Sequence, residues 1–248
     1  MPWGREKGTI RAMEQCRVVA PRRRAALIKR LAACAVMTVM MLTGNMHAMA
    51  QSQGRPGPCL ILAYGDSLTA GYGLLPSEAF PSVLEKRLKD MGLDVTVVNA
   101  GVSGETSAGG LARLEWTLSG LERMPEVAIL ELGANDGLQG LDPADMEENL
   151  AGIIERFQSE GITVLLAGMY VMANMGESYS QAYNAVFPDL AGQYGTVFTP
   201  FFLEGVAGAP ELNQMDGIHP NAVGVELIVD NVLPQVLQAM EQAGCSAQ

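Results

Sequence analysis

The chain has 248 residues, 48% of them hydrophobic and 6% aromatic, with 27 acidic against 16 basic side chains and a formal net charge of −11. That length and apolar content suffice for one medium-sized globular domain with a buried core, and they exclude a wholly disordered chain. The acidic balance repels phosphate backbones and so excludes nucleic acid as an expected partner.

The first element in chain order is a targeting segment. Arg22-Arg23-Arg24 and Lys29-Arg30 precede an uncharged, mostly apolar run over 31–42, and Ala48-Met49-Ala50 forms a small-x-small site. These are the n-region, h-region and cleavage site of a secretory signal. The run is too short to cross a bilayer. A translation start at Met13 would account for the long leader. Leu31-Ala32-Ala33-Cys34 resembles a lipoprotein box but lies at the start of the apolar run, not after it. Arg23-Arg24 leaves a twin-arginine route open beside the general one. Residues 1–50 are therefore expected to be a signal peptide, 51–58 a short linker and 59–248 a single domain, periplasmic or secreted. Cleavage would remove 9 of the 16 basic and 2 of the 27 acidic residues, leaving a net charge of −18. Such a surface has no basic patch to hold an anionic membrane, so no stable membrane anchor is expected. Cys16 and Cys34 would leave with the leader, and Cys59 and Cys245 would remain. One disulfide and two free thiols are both compatible with that count.

From residue 60 onward, β-type runs alternate with amphipathic helical stretches. Strands are expected at 60–64, 95–99, 127–132, 162–167 and 196–199. The first four read as continuous apolar runs, as strands buried on both faces do. A helix over about 81–91 turns Val83, Leu84 and Leu88 inward and stops at Gly92. A second follows Thr106 with Leu111, Leu114, Leu118 and Leu121 inward. A third is capped by Asp142, opens on Pro143, aligns Leu150, Ile153, Ile154 and Phe157, and ends at Gly161. A fourth covers about 179–194. The last runs from Pro220 to about 242, with a bend expected at Pro234. This alternation predicts a parallel sheet with helices on both faces. Right-handed crossovers put the carboxyl ends of the strands on one rim, where open α/β sheets bind ligands.

Four segments should meet at that rim: 65–68 after the first strand, 99–106 after the second, 133–137 after the third, and 216–220 beyond the fifth. Removal of the leader takes His47, and His219 is then the only histidine. It stands three residues after Asp216, a spacing at which a carboxylate can accept the Nδ1–H and leave the other ring nitrogen free to take a proton. Ser67, in a short turn leaving a buried strand, needs such a base, because a free hydroxyl is a weak nucleophile. Ser67 is equally suited to be a helix N-cap. Gly104, just before a helix, offers a backbone N–H that a substrate can approach closely. Asn135 offers a neutral side-chain donor, and the Ser67 N–H can be the third member of an oxyanion hole. Turn chemistry is the plainer role for Gly104 and Asn135. Asp66 and Asp136 are expected to hold loops, and Glu105 to balance a helix N-terminus. Met169, Tyr170, Met172 and Met175 fit either an acyl pocket or core packing.

Taken together, Gly65-Asp66-Ser67-Leu68, Val98-Asn99-Ala100, Ser103-Gly104-Glu105-Thr106, the stretch from Glu131 to Gly137 and the stretch from Asp216 to Asn221 resemble the signature blocks of the SGNH, or GDSL, hydrolases. The resemblance covers about 59–240 and is nearest to the small bacterial periplasmic arylesterase, acyl-CoA thioesterase and lysophospholipase subgroup. It implies a flavodoxin-like, three-layer α/β/α fold on a five-stranded parallel sheet. It implies Ser67, Asp216 and His219 as the catalytic set, and Ser67, Gly104 and Asn135 as oxyanion donors. No metal and no organic cofactor are implied. The implied substrate is a small acyl ester, acyl thioester or lysophospholipid, cleaved through an acyl-enzyme by a monomer. Glu105 stands where many relatives have Asp. The chain order is Ser, Asp, His, and the nucleophile turn is not the Gly-x-Ser-x-Gly elbow. The implied topology puts the start of the first strand and the end of the last helix at the bottom of the sheet, so the resemblance also implies a Cys59–Cys245 bridge. Alternative readings are a carbohydrate acetyl esterase with the same catalytic set, a non-catalytic binding module, and a metal-dependent phosphoesterase built on Asp66, Asp136 and Asp216. Acyl specificity is expected to reside in 168–179 and 201–215.

Overall fold

The computed structural model describes residues 57–171 and 175–245. Five strands form one all-parallel sheet: β1 (Cys59–Gly65), β2 (Val95–Gly101), β3 (Val127–Glu131), β4 (Thr163–Ala167) and β5 (Val197–Thr199), in the order β2-β1-β3-β4-β5. Among the described residues there are seven α-helices: α1 (Ser67–Ala70), α2 (Phe80–Asp90), α3 (Ser107–Ser119), α4 (Ala134–Gln139), α5 (Pro143–Ser159), α6 (Glu177–Tyr194) and α7 (Ala222–Gln242). Helices α2 and α7 pack together on one face of the sheet, and α3, α5 and α6 pack in sequence on the other. This is the flavodoxin-like three-layer α/β/α arrangement, and its chain reversal falls between β1 and β3.

Local chemistry explains the elements. In β1 and β3 all but Leu60 are buried, and β4 is buried from Val164 on, as expected of strands covered on both faces. The β2 run departs from that expectation: only Val95 is fully buried. It is an edge strand, and the Glu85 carboxylate accepts its Val97 N–H at 2.7 Å. Helix α5 is capped as its sequence reads, with the Asp142 side chain accepting from the Ala144 N–H and Pro143 in the first turn. Pro234 lies inside α7, and Asn221, not Pro220, caps it. In α3 the inward face is Ser107, Gly110, Leu114 and Leu118, whereas Leu111 is 37% exposed and covers Gly152 on α5. Small residues carry the buried stripe there, because the Tyr64 hydroxyl donates to the Gly110 carbonyl at 2.5 Å and the helix must approach closely.

Cys59 opens β1 and Cys245 follows α7; the two form a disulfide that joins positions 186 residues apart. The chain-entropy model gives a closed loop of this size a ceiling of about 5 kcal/mol, and measured bridges typically contribute about 2–4 kcal/mol. Reducing the bridge, or replacing Cys245 by Ser, is therefore expected to lower the Tm by roughly 5–15 °C. Thermal melts with and without reductant measure this, and an unchanged Tm would show that the bridge does not constrain the chain.

Candidate active site

The site is set by strand register. Gly65, the last residue of β1, pairs with Gly101 of β2 on one side and Glu131 of β3 on the other. The turns after all three strands therefore leave the sheet at one level. A Cβ on residue 65 would lie 2.1 Å from Thr69 Oγ1 and 2.6 Å from Glu131 Oε2, so only glycine fits. The chain then turns at Asp66, whose side chain accepts from the Leu68 N–H at 2.9 Å and caps α1. Ser67 is thus the first residue of the helix, not its cap, and its hydroxyl points at the rim.

His219 arrives from the other end of the chain, in the 200–221 segment that follows β5. Asn213 and Pro220 form an antiparallel bridge, and the Gln214 N–H donates to the His219 carbonyl at 2.7 Å. The Gln214 amide also donates to the Tyr72 and Pro220 carbonyls, tying this hairpin to the turn after α1. At its tip Asp216 Oδ1 accepts the backbone N–H groups of Ile218 and His219, at 2.9 and 3.0 Å. Asp216 Oδ2 lies 2.7 Å from His219 Nδ1, and His219 Nε2 lies 2.9 Å from Ser67 Oγ. The Tyr72 ring packs against the imidazole with centroids 4.5 Å apart. The backbone N–H of His219, then that of Ile218, then the ring itself hold the Asp216 carboxyl at about 2, below its ordinary 3.8, so it stays ionised.

The other predicted donors surround the same cavity of about 780 Å³. Gly104 has φ +82°, and a Cβ there would meet open space, so the position is kept for glycine by its backbone and leaves its amide approachable. Among the described residues, no group accepts a hydrogen bond from the Gly104 or Ser67 N–H. Asn135 lies on α4, a short helix where the sequence reads as a loop. Its amide is fully engaged: Nδ2 donates to Asp66 Oδ2 at 3.0 Å and to the Glu105 carbonyl at 2.9 Å. Asp136 accepts from both the N–H and the hydroxyl of Ser107, at 2.8 and 2.6 Å, and so fixes the start of α3 against α4. Glu105 lies beside Gly109 in the first turn of α3 and also forms an ion pair with Arg113, which donates to the Gly65 carbonyl and lies over the Tyr64 ring.

Met169 and Tyr170 line the cavity, with Tyr170 against Phe201; Met175 instead lies beside Gly140, and Met172 is outside the described residues. Both segments expected to govern acyl specificity contribute, through Val171 from one and Leu203 from the other. Asp66, Asp136 and Asp216 each face different protein donors, and among the described residues their oxygens do not converge as a ligand cluster.

Glu131 has no role in the sequence reading. It is fully buried beneath the nucleophile turn, where Oε2 accepts the Thr69 hydroxyl at 2.7 Å and the Asp66 N–H at 3.3 Å. Among the described residues Oε1 has no hydrogen-bond partner. Burial, then the Asp66 charge, pushes the Glu131 carboxyl well above its ordinary 4.5, and burial also raises Asp66. Glu131 lies deeper and is the member that keeps the proton, while Asp66 stays an anion facing the Asn135 amide. Its sequence signal is an acid closing an apolar strand.

The chain matches the family model described as the GDSL-like Lipase/Acylhydrolase family over residues 63–227. It is 41% identical over 198 residues to the protein named Esterase TesA of Pseudomonas aeruginosa, covering 80% of this chain and 97% of that one. It is 38% identical over 176 residues to the Escherichia coli protein named Thioesterase 1/protease 1/lysophospholipase L1, covering 71% and 82%. It is also similar to the crystal structure of AlinE4, described as an SGNH-hydrolase family esterase, with TM-score 0.64 and 44% identity, covering 75% of this chain and 99% of that one.

An acid whose folded-state pKa lies above its unfolded value destabilises the fold as pH rises through the interval, because the unfolded chain releases the proton first. On account of Glu131, wild-type stability should decline from about pH 4.5 upward. Glu131→Gln cannot ionise and escapes that decline. Its urea midpoint relative to wild type should therefore increase between about pH 4 and pH 7. A difference that stays constant would mean Glu131 is ionised in the fold.

Proposed function

The chain belongs to the GDSL-like lipase/acylhydrolase family, and we propose that it is a serine hydrolase that cleaves carboxylic esters through an acyl-enzyme on Ser67. The observation that carries this reading is the unbroken line from Asp216 Oδ2 through the His219 ring to Ser67 Oγ, with contacts of 2.7 and 2.9 Å. His219 takes the Ser67 proton as Oγ attacks the substrate carbonyl, and Asp216 fixes the tautomer and stabilises the imidazolium. The N–H groups of Gly104 and Ser67 hold the oxyanion. Asn135 joins them by sharing one of its engaged hydrogens in a three-centre bond. The alcohol or thiol departs with the proton from His219, and water activated by the same ring releases the acid.

The cavity supports acyl groups of some length. Its volume lies in the range of ordinary small-molecule sites, and Leu138, Met169, Val171, Phe201 and Leu203 make it apolar. That lining favours an acyl chain over an acetyl group on a carbohydrate. The names borne by the similar proteins support esters, thioesters and lysophospholipids as substrate classes. The proposal extends to export: residues 1–50 act as a signal peptide, and the mature domain works in the periplasm or outside the cell. The Cys59–Cys245 bridge supports this, since disulfides persist in oxidising compartments.

The test is hydrolysis of p-nitrophenyl acetate, butyrate, octanoate and palmitate by the mature protein. Ser67→Ala should abolish turnover, and Asn135→Ala should lower kcat by about 10²-fold with a smaller change in KM. A folded Ser67→Ala variant with wild-type rates would end the reading.

A further inference from the structure

The six lysines and arginines of the described residues are set against 25 aspartates and glutamates. Each of the six is already in an ion pair: Lys86 with Asp90, Arg87 with Glu226 and Asp230, Lys89 with Glu85, Arg113 with Glu105, Arg123 with Glu126, and Arg156 with Glu115 and Glu160. Arg113 reaches the Gly65 carbonyl at the nucleophile turn and is enclosed there by Glu105 and the Tyr64 ring. Among the described residues, no lysine or arginine lines the catalytic cavity. Apart from tyrosines, its titratable wall residues are Asp66 and His219, and Asp216 adds an ionised carboxylate behind the imidazole. The donors offered to the reacting carbonyl are neutral amides. The rim outside them is apolar, with Tyr72, Tyr170 and Ile218 about half exposed.

A leaving group projects from the reacting carbonyl out through this mouth. A phosphate-bearing one would lose hydration there and approach a strongly negative surface, with no unpaired cation among the described residues to receive it. Resting on the esterase reading above, we infer that the site discriminates by leaving-group charge. It takes esters and thioesters of neutral or zwitterionic alcohols and thiols, and it turns over polyanionic nucleotide thioesters poorly at low ionic strength. Fields of this kind change encounter rates by about 10–10³-fold, and salt screens them over a Debye length of about 10 Å at 0.1 M.

The experiment compares kcat/KM for octanoyl-coenzyme A and S-octanoyl-N-acetylcysteamine, which share the acyl chain and the thioester, at about 20 mM and 300 mM NaCl. p-Nitrophenyl octanoate is run in parallel. At low salt the neutral thioester should be favoured by about tenfold or more. The coenzyme A substrate should gain several-fold with salt while the neutral one barely changes. Equal turnover of the two at low salt, or a coenzyme A rate that falls as salt is added, would overturn the inference. So would cleavage of the p-nitrophenyl ester with both thioesters untouched, since charge would then not be what excludes them, although the esterase reading would survive. Loss of all three activities would take down the esterase reading and this inference together.

Discussion

The site depends first on a steric constraint: no side chain can occupy position 65. Gly65 ends β1 in register with Gly101 and Glu131, and the space where its Cβ would lie is filled by Thr69 Oγ1 and the Glu131 carboxylate. Because the three strands end level at the chain reversal, the turns carrying Ser67, Gly104 and Asn135 are aimed by backbone that the sheet holds rigid. Only the base must travel. His219 comes 152 residues after Ser67, on a hairpin held by Gln214 and Asn213, and Gln214 reaches the turn next to the nucleophile. A base delivered this way needs its own orientation fixed locally. Asp216 supplies that with three contacts to His219 and Ile218.

Beneath the nucleophile the polar groups form a single chain of dependence. Glu131 accepts from Thr69 and from the Asp66 backbone, Asp66 caps α1 and receives the Asn135 amide, and Asn135 also reaches the Glu105 carbonyl. In a dry site, two adjacent carboxylates cannot both carry charge cheaply. Leaving the proton on the deeper Glu131 keeps Asp66 an anion, which holds the Asn135 amide in one orientation. The same bond occupies a hydrogen that an oxyanion would want. The donor is thereby preorganised at the expense of being fully free, which suits a group required only while charge develops on the substrate oxygen.

Much of this is legible in the sequence, for a physical reason. Strands buried on both faces must be apolar throughout, so β1, β3 and β4 read clearly, and residues just after strands of a parallel sheet must gather at one rim. The same logic cannot tell a central strand from an edge, because spatial order is not written in an apolar run, and so the exposure of β2 is not foreseen. Periodicity also misplaces Leu111. The buried stripe of α3 uses Ser107 and Gly110, and small residues carry little hydrophobic signal even where they are the closest contacts. Tyr72 with His219, and Gln214 with the Tyr72 carbonyl, are pairings across the fold that no local spacing announces. Glu131 stands inside a recognisable block, yet its role follows only from depth.

The electrostatics of the site make sense together with those of the whole surface. In a chain with so large an acidic excess, the protein's own field tends to raise carboxyl pKa values and to oppose new negative charge on a substrate. A cation at the site would answer both problems, but the described residues hold none that is unpaired. Dipoles are used instead. Backbone N–H groups keep Asp216 ionised, and in the proposed mechanism the otherwise unengaged Gly104 and Ser67 amides receive the oxyanion. Dipole fields fall off faster with distance than those of ions, so they can stabilise one oxyanion at contact without drawing polyanions from solution. A strongly acidic esterase built this way pairs chemistry that creates negative charge at one atom with a mouth that does not attract negative charge elsewhere.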